Sequence, residues 1–194
     1  MKIDKEIKQY GNDHNVPITL DDTLCFLLNI IKKNASSHIL EIGTAIGYGC
    51  ITMAQNTNCQ HIDTVEKDDE RYGIAIQNIK KCNLDEKITV YHDDALHFLE
   101  NCDKKYDLVY LDGPKGQYIT YLPLILNLLN KGGIIVADNL NFHGMVTGEI
   151  PTPRGCRAMI KGLKRYIEAI TSDDRLQTTI YTNIGDGVGV TKLK

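Results

Sequence analysis

Two hydrophobic patterns alternate along the chain and predict its secondary structure. In one, apolar residues recur every three or four positions, as on one face of a helix; in the other, short apolar runs suit buried strands. The helical pattern covers residues 20–33, 71–82, 121–129 and 158–170. The strand pattern covers His38–Ile42, His61–Glu66, 88–91, 108–111, 134–137, 178–182 and 188–191. This alternation predicts a mostly parallel sheet with helices on both faces.

Glycine-rich segments predict where two of these elements end. The segment Lys131-Gly132-Gly133 is expected to stop the third helix. The turn Gly185-Asp186-Gly187 separates the last two strands and predicts that they pair antiparallel. The chain has 194 residues, no internal repeat and no linker-like stretch. It is therefore expected to fold as one α/β domain over residues 1–194, with a seven-stranded sheet.

Composition and charge exclude several classes of protein. The N-terminus lacks the apolar core of a signal peptide, and no apolar run is long enough to span a bilayer. The six cysteines form no CxxC pair, which disfavours a zinc site and favours reduced, buried thiols in a cytoplasmic protein. A formal net charge of -3 argues against non-specific coating of nucleic acid. One predicted helix and the residues before it nevertheless carry a basic run: Arg154, Arg157, Lys161, Lys164 and Arg165.

Acidic residues lie at or just beyond the ends of five successive strands. They are Glu41, Glu66, Asp94, Asp112 and Asp138. Any single one is explained as the cap of a following helix. In parallel sheets, however, ligands bind beyond the carboxyl ends of the strands. Five acids in succession at that edge therefore predict a ligand site.

The turn after the first strand, residues 41–49, indicates the kind of ligand. Its sequence EIGTAIGYG follows GxxxGxG, whereas dinucleotide-binding turns prefer GxGxxG with a pyrophosphate at the helix N-terminus. An acid two residues before the first glycine suits a ligand with an ammonium and a sulfonium group. Glu66 lies 25 residues after Glu41 (66 minus 41), a spacing that suits a carboxylate bound to ribose hydroxyls. Asp94 and Ala95 are then expected to face the adenine.

From residue 16 to the C-terminus the chain resembles the class I methyltransferases, and within them the metal-dependent catechol and caffeoyl-CoA O-methyltransferases. The segments that carry the resemblance are 40–48 (LEIGTAIGY), 111–118 (LDGPKGQY) and 136–139 (VADN). The resemblance implies a Rossmann-like fold with S-adenosylmethionine and Mg²⁺ as cofactors. The cofactor-binding residues are then expected to be Glu41, Gly43, Gly47, Tyr48, Gly49, Glu66, Asp94, Ala95 and Asp112.

The same resemblance implies a metal site and a catalytic lysine. Asp112, Asp138 and Asn139 are expected to bind Mg²⁺, and Lys115 to contact the reacting hydroxyl. Oxygen ligands suit this hard cation, and three of them leave positions for two vicinal substrate oxygens. Lys115 is expected either to accept the hydroxyl proton or to hold the resulting oxyanion.

Within this group the chain is similar to bacterial enzymes that methylate 5-hydroxyuridine in the tRNA anticodon loop. The shared segments are 14–18 (HNVPI), 115–118 (KGQY), 138–140 (DNL) with Phe142 and Gly144, and 185–187 (GDG). O5 and O4 of 5-hydroxyuracil form a vicinal pair, much as in a catechol. The resemblance implies tRNA as the partner, with the basic run facing RNA phosphates, and a homodimer. A solvated helix face is the other explanation of that run.

Four positions depart from the pattern of these relatives. Gly49 stands where many carry a serine that helps to hold the methionine carboxylate. Gly113-Pro114 replaces the small alanines usual between the metal-binding aspartate and the lysine. His143 falls where a basic residue is common. These departures bear on cofactor contacts and substrate choice rather than on the fold.

Three other functions remain open from the sequence. An O-methyltransferase of catechol-like small molecules shares every predicted site residue. An NAD-dependent oxidoreductase shares the fold and Glu66, but not the glycine spacing or the set of Asp112, Lys115, Asp138 and Asn139. A non-catalytic RNA-binding module explains the basic run and leaves the acids at the sheet edge without a role.

Overall fold

One mixed sheet forms the centre of the computed structural model, which describes residues 5–194. Its strands are β1 (His38–Ile42), β2 (His61–Glu66), β3 (Ile88–His92), β4 (Tyr106–Leu111), β5 (Leu129–Ala137), β6 (Leu176–Tyr181) and β7 (Val188–Leu193). Their order across the sheet is β3-β2-β1-β4-β5-β7-β6. Strands β1 to β5 pair in parallel, whereas β7 pairs antiparallel with β5 and β6. The predicted parallel sheet and its closing antiparallel pair are confirmed.

Seven α-helices lie along residues 5–194. They are α1 (Lys5–Asp13), α2 (Asp21–Lys33), α3 (Tyr48–Asn56), α4 (Asp69–Lys81), α5 (Ala95–Asn101), α6 (Tyr118–Leu128) and α7 (Arg157–Ser172). Side chains alternate between the two sides of each central strand, so Leu108 and Tyr110 pack with α1 to α4 while Val109 and Leu111 pack with α5 to α7. The sheet is therefore covered on both faces, as predicted.

Three of these helices lack the pattern that predicts the other four. Helix α3 buries residues 48–54 without interruption, so it has no polar face to reveal a helical period. Helix α5 has only seven residues, and α1 buries only Ile7 and Gly11. Each is stabilised by tertiary packing rather than by a long amphipathic stripe.

The predicted stop of the third helix at residues 131–133 is wrong. Helix α6 already ends at Leu128, and both glycines lie inside β5. Gly132 adopts a φ of +77°, and the register between β4 and β5 shifts at this level. These glycines form an irregularity in a strand, a role that glycine also takes in sheets.

Two further predictions concern the burial of the cysteines and the absence of membrane-spanning segments. All six cysteines are free thiols. Cys50 and Cys59 are buried as predicted, but Cys25 is exposed because α2 turns Leu24, Leu27 and its other apolar residues inward. No helix within residues 5–194 has both the length and the apolar character needed to cross a bilayer.

Candidate active site

A cavity of ≈ 540 Å³ opens at the carboxyl edge of the parallel strands. Its lining includes the predicted residues Glu41, Gly43, Tyr48, Gly49, Glu66, Asp94, Ala95, Asp112, Lys115, Asp138 and Asn139. Gly47 is the one predicted residue that does not line it. A Cβ built on Gly47 would face Ile51 and Ala75, so this glycine points into the helical layer. Its φ of +86° starts α3, which is a conformational role.

Gly43 brings the first turn against the fourth strand. Its φ is +104°, and a Cβ at this position would lie 2.6 Å from the backbone oxygen of Asp112. A side chain would therefore separate the two segments that end β1 and β4. The glycine keeps the predicted cofactor turn and the predicted metal ligand in one cavity.

Glu66 is held by backbone N–H groups at the end of β2. Its Oε2 accepts a hydrogen bond from the amide of Ala45 at 2.9 Å, and its Oε1 accepts from the amides of Lys67 and Asp68 at 3.0 Å. These donors fix the direction of the carboxylate toward the glycine turn. Each oxygen keeps lone-pair capacity for a further donor, such as a ribose hydroxyl.

Asp94 caps a helix, which is the local explanation considered for each acid. Its Oδ1 accepts a hydrogen bond from the amide of Leu96 at 2.9 Å, at the N-cap of α5. Its side chain remains about half exposed to the cavity, next to the buried Ala95. The cap places both residues in the lining of the cavity, and their contact with adenine stays a prediction.

Glu41 lies at the bottom of the cavity and is almost wholly buried. Thr64 donates a hydrogen bond to its Oε2 at 2.6 Å, and Thr44 lies 2.6 Å from the Thr64 hydroxyl. Burial raises the pKa of Glu41 to about 8, because the hydrogen bond from Thr64 offsets only part of the lost hydration. A ligand ammonium group beside this carboxyl would favour its ionised form.

The position of Glu41 accounts for the unusual glycine at 49. A Cβ on Gly49 would lie 2.3 Å from Glu41 Oε1, so the carboxyl group occupies the space that a serine side chain would need. Tyr48 is a predicted cofactor-binding residue, but its ring is buried and its hydroxyl donates a hydrogen bond to Asp21 at 3.2 Å. Only part of Tyr48 is therefore available to line the cavity.

Asp112 follows β4 and has partners on both carboxylate oxygens. Lys115 donates to Oδ1 at 2.7 Å, and Thr19 donates to Oδ2 at 2.9 Å. The hydroxyl of the buried Tyr110 lies 3.5 Å from Oδ2. Lys115 begins the 3₁₀ turn Lys115–Gln117, which directs its ammonium back toward the strand end.

Asp138 and Asn139 follow β5, the neighbour of β4. Asp138 is 3% exposed, and its Oδ1 accepts from the amide of Asn139 at 2.8 Å. Burial, followed by the charge of Asp112, raises the pKa of Asp138. Asn139 has a φ of +58°, in the left-handed region that asparagine tolerates better than most residues. The two mutually repelling carboxylates are typical of a functional site.

The donors at this end of the cavity fit a hard divalent cation. Two carboxylates and one amide supply oxygen ligands, which Mg²⁺ prefers. The charge of Asp112 raises the pKa of Asp138, and a bound cation would favour the ionised form of Asp138. Among residues 5–194 no group of three or more His, Cys, Asp or Glu side chains forms an alternative metal site.

Sequence reasoning missed two residues that organise the site. Thr19 precedes α2 and reaches Asp112, which is 93 positions away in sequence. Asp186 accepts two hydrogen bonds from the amide of His143, at 2.9 and 2.8 Å, and so joins the last turn of the chain to the loop after β5. The sequence marks the turn 185–187 as a point of resemblance and His143 as a departure, but it does not indicate that the two are in contact. A contact between distant loops leaves no periodic pattern in the sequence.

Comparisons with known proteins agree with this geometry. A family model described as O-methyltransferase matches residues 3–194. A caffeoyl-CoA O-methyltransferase of Populus kitakamiensis is 27% identical over 189 residues, which cover 93% of this chain and 80% of that protein. A candidate caffeoyl-CoA O-methyltransferase of Staphylococcus aureus is 29% identical and superposes with a TM-score of 0.91, covering 98% of this chain and 91% of the other.

A third comparison concerns a structure with a bound cofactor product. The O-methyltransferase of Bacillus cereus, solved in complex with S-adenosylhomocysteine, has the same fold at 24% identity and a TM-score of 0.85, with 98% of this chain and 90% of that chain covered. The cavity described above lies where the sheet places the predicted cofactor residues. The chain therefore belongs to the O-methyltransferase family and is an S-adenosylmethionine-dependent O-methyltransferase of the caffeoyl-CoA and catechol type.

Proposed function

We propose that this enzyme uses Mg²⁺ to methylate the 5-hydroxyl of 5-hydroxyuridine in tRNA, which gives 5-methoxyuridine. The observation that carries the metal-dependent part is the grouping of Asp112, Lys115, Asp138 and Asn139 at the ends of two adjacent strands, beside the glycine turn. This arrangement suits an acceptor with two neighbouring oxygens, because three protein ligands leave part of an octahedral shell open.

Some residues of the site position the substrates, and others bind the cation or stabilise charge on the acceptor oxygen. The turn at Gly43 and the carboxylate of Glu66 orient the nucleoside part of S-adenosylmethionine, which supplies the sulfonium methyl group. Asp112, Asp138 and Asn139 would hold the cation, which when bound lowers the pKa of the acceptor hydroxyl and fixes its direction. Lys115 accepts the hydroxyl proton or holds the oxyanion. Alignment of the oxyanion with the methyl group then provides much of the acceleration.

The exposed face of α7 supports an RNA acceptor. Acidic side chains outnumber basic ones 25 to 22 in the whole chain, yet segment 154–165 has five basic residues and no acidic one. Each of these five side chains is exposed, and within residues 5–194 none of them forms an ion pair. A cluster of unpaired cations on one helix face is typical of a surface that meets phosphates.

Helix α7 also packs against the turn that carries Lys115. A Cβ on Gly162 would lie 2.4 Å from the backbone oxygen of Gly116, and Gly116 lies against Met159. The backbones of helix and turn are therefore in direct contact. The helix that carries the basic side chains is therefore fixed to the turn that carries Lys115.

A catechol-like small molecule is the second candidate acceptor. Two of the three relatives described above are named for caffeoyl-CoA, whose caffeoyl ring carries two vicinal hydroxyls. The same four residues serve either acceptor, so the chemistry alone does not separate them. The basic face of α7 has no role with a free catechol.

Methyl transfer from labelled S-adenosylmethionine tests both acceptors together. We would offer tRNA containing 5-hydroxyuridine and a simple catechol, each with Mg²⁺ or with a chelator. We expect metal-dependent label in the tRNA. Label in the catechol alone would replace the proposal with a small-molecule enzyme, and transfer that survives the chelator would remove the metal from it.

Two double variants test whether the basic face of α7 binds the tRNA acceptor. Lys161→Gln with Lys164→Gln should lower turnover on tRNA about tenfold and reduce its salt dependence, because two phosphate contacts are lost. The matched pair Lys80→Gln with Lys81→Gln removes two exposed cations from α4, on the other side of the sheet, and should change neither. Equal loss in both pairs would contradict the assigned surface.

Two further statements about this protein stay predictions. A homodimer and a cytoplasmic location rest on the resemblance and on the cysteine pattern. The NAD-dependent oxidoreductase and the non-catalytic RNA-binding module are disfavoured by membership of the O-methyltransferase family.

A further inference from the structure

The carboxylate of Asp112 is shared between two donors that reach it from different parts of the fold. Thr19, from the segment before α2, holds Oδ2 at 2.9 Å, while Lys115 holds Oδ1 at 2.7 Å. Thr19 and Tyr110, which both lie at Oδ2, are 8% and 0% exposed. Turning the carboxylate would remove the acceptor of the buried Thr19 hydroxyl, which is costly. Oδ1 is therefore the oxygen that remains available to a ligand.

The ammonium of Lys115 already provides positive charge at this place. Its side chain and that of Asp112 are 14% and 18% exposed, so water screens their ion pair only in part. Lys115 thus partly neutralises Asp112.

A divalent cation on Asp112 would need the same oxygen. Mg²⁺ binds carboxylate oxygens at about 2.0–2.1 Å and tolerates little distortion. The ammonium at 2.7 Å from Oδ1 would then be within a few ångströms of a doubly charged ion, and the two cations repel each other. This repulsion disfavours simultaneous contact of both cations with Oδ1, and the flexible stem of Lys115 lets the ammonium move away.

We propose that Lys115 and the divalent cation compete for Asp112 Oδ1, so that metal binding displaces the ammonium and frees it for the acceptor oxygen. This inference rests on the metal site in the proposed function. It assigns Lys115 a second role, which is to neutralise Asp112 until the metal replaces it. The order of events follows: the metal binds before Lys115 can engage the acceptor.

Direct measurement of Mn²⁺ affinity, by electron paramagnetic resonance or calorimetry without acceptor, tests this competition independently of turnover. We expect Lys115→Met to bind Mn²⁺ at least tenfold more tightly than the wild type, because a competing cation is gone. Lys115→Arg keeps the charge and should gain less than threefold. Lys67→Met is the matched control, since Lys67 is an exposed lysine of the same cavity with its Nζ 3.8 Å from Asp94 rather than at Asp112.

Each outcome of this measurement decides a different point. Equal or weaker Mn²⁺ binding by a folded Lys115→Met protein would overturn the competition and make the lysine a support for Asp112. An equal gain in Lys67→Met would overturn it as well, because the effect would then come from net charge. Absence of Mn²⁺ binding in the wild type and every variant, with S-adenosylmethionine binding retained, would instead refute the metal site of the proposed function.

Discussion

Replacing Glu41 by glutamine removes a titratable group from the bottom of the cavity while keeping its shape. The folded protein raises the pKa of Glu41 from 4.5 to about 8 through burial. A raised folded-state pKa means that the group contributes stability that is fully present below pH 4.5 and is lost as the pH rises toward 8. Between these values the unfolded chain is ionised at this residue and the folded chain is not.

The size of the effect follows from proton linkage. One pKa unit corresponds to about 1.4 kcal/mol, so the wild type should lose about 2.7 kcal/mol of unfolding free energy from Glu41 between pH 6 and pH 9. Glu41→Gln should lack this part of the pH dependence. The raised pKa of Asp138 acts in the same direction in both proteins and leaves the difference between them unchanged.

Urea denaturation followed by circular dichroism measures this difference, since the chain has no tryptophan. Both proteins would be unfolded at pH 6 and pH 9 at constant ionic strength and without cofactor. Glu86→Gln removes the same charge from an exposed position and should keep the wild-type pH dependence. If Glu41→Gln loses as much stability as the wild type over this range, Glu41 is not the buried proton site described here.

Two further predictions concern backbone geometry at the cavity. Gly43→Ala should lower the free energy of unfolding by at least about 2 kcal/mol, because it adds left-handed strain and a contact with the Asp112 backbone; Gly73→Ala, where a Cβ meets nothing within 4 Å inside α4, should instead raise it by roughly 0.5–1 kcal/mol. Equal effects in urea titrations would contradict this account. Asp94→Ala should cost about 1 kcal/mol through the lost helix cap, whereas Asp94→Asn should keep the cap and most of the stability. A large loss in the asparagine variant would show that charge, not capping, matters there.

The sequence predicts the sheet well because its strands are short, buried and separated by helices. It predicts the edge of the cavity for the same reason, since Glu66, Asp112 and Asp138 follow strands whose ends must meet. The sequence does not predict helix α3, because a helix buried on all sides has no alternation of apolar and polar residues with a helical period. Gly132 illustrates an ambiguity, because glycine both ends helices and distorts strands.

The missing parts of the site are those that depend on contacts between distant segments. Nothing near Thr19 in sequence indicates that its hydroxyl holds Asp112. The burial of Glu41 beneath Gly49 also depends on how the first turn packs. The resemblance implies a role for Glu41 and none for Thr19, and the direction of both side chains is evident only in the structure.

The two sides of α7 have different roles, so the acceptor specificity of related enzymes can change while the catalytic residues stay in place. One side of the helix supports the Lys115 turn through Gly116 and Gly162, while the opposite side carries the exposed basic residues. Substitutions on the outer side therefore leave the supporting contact intact. Evolution or protein engineering can exchange the recognition surface of such an enzyme for one suited to another acceptor while the methyl-transfer chemistry stays the same.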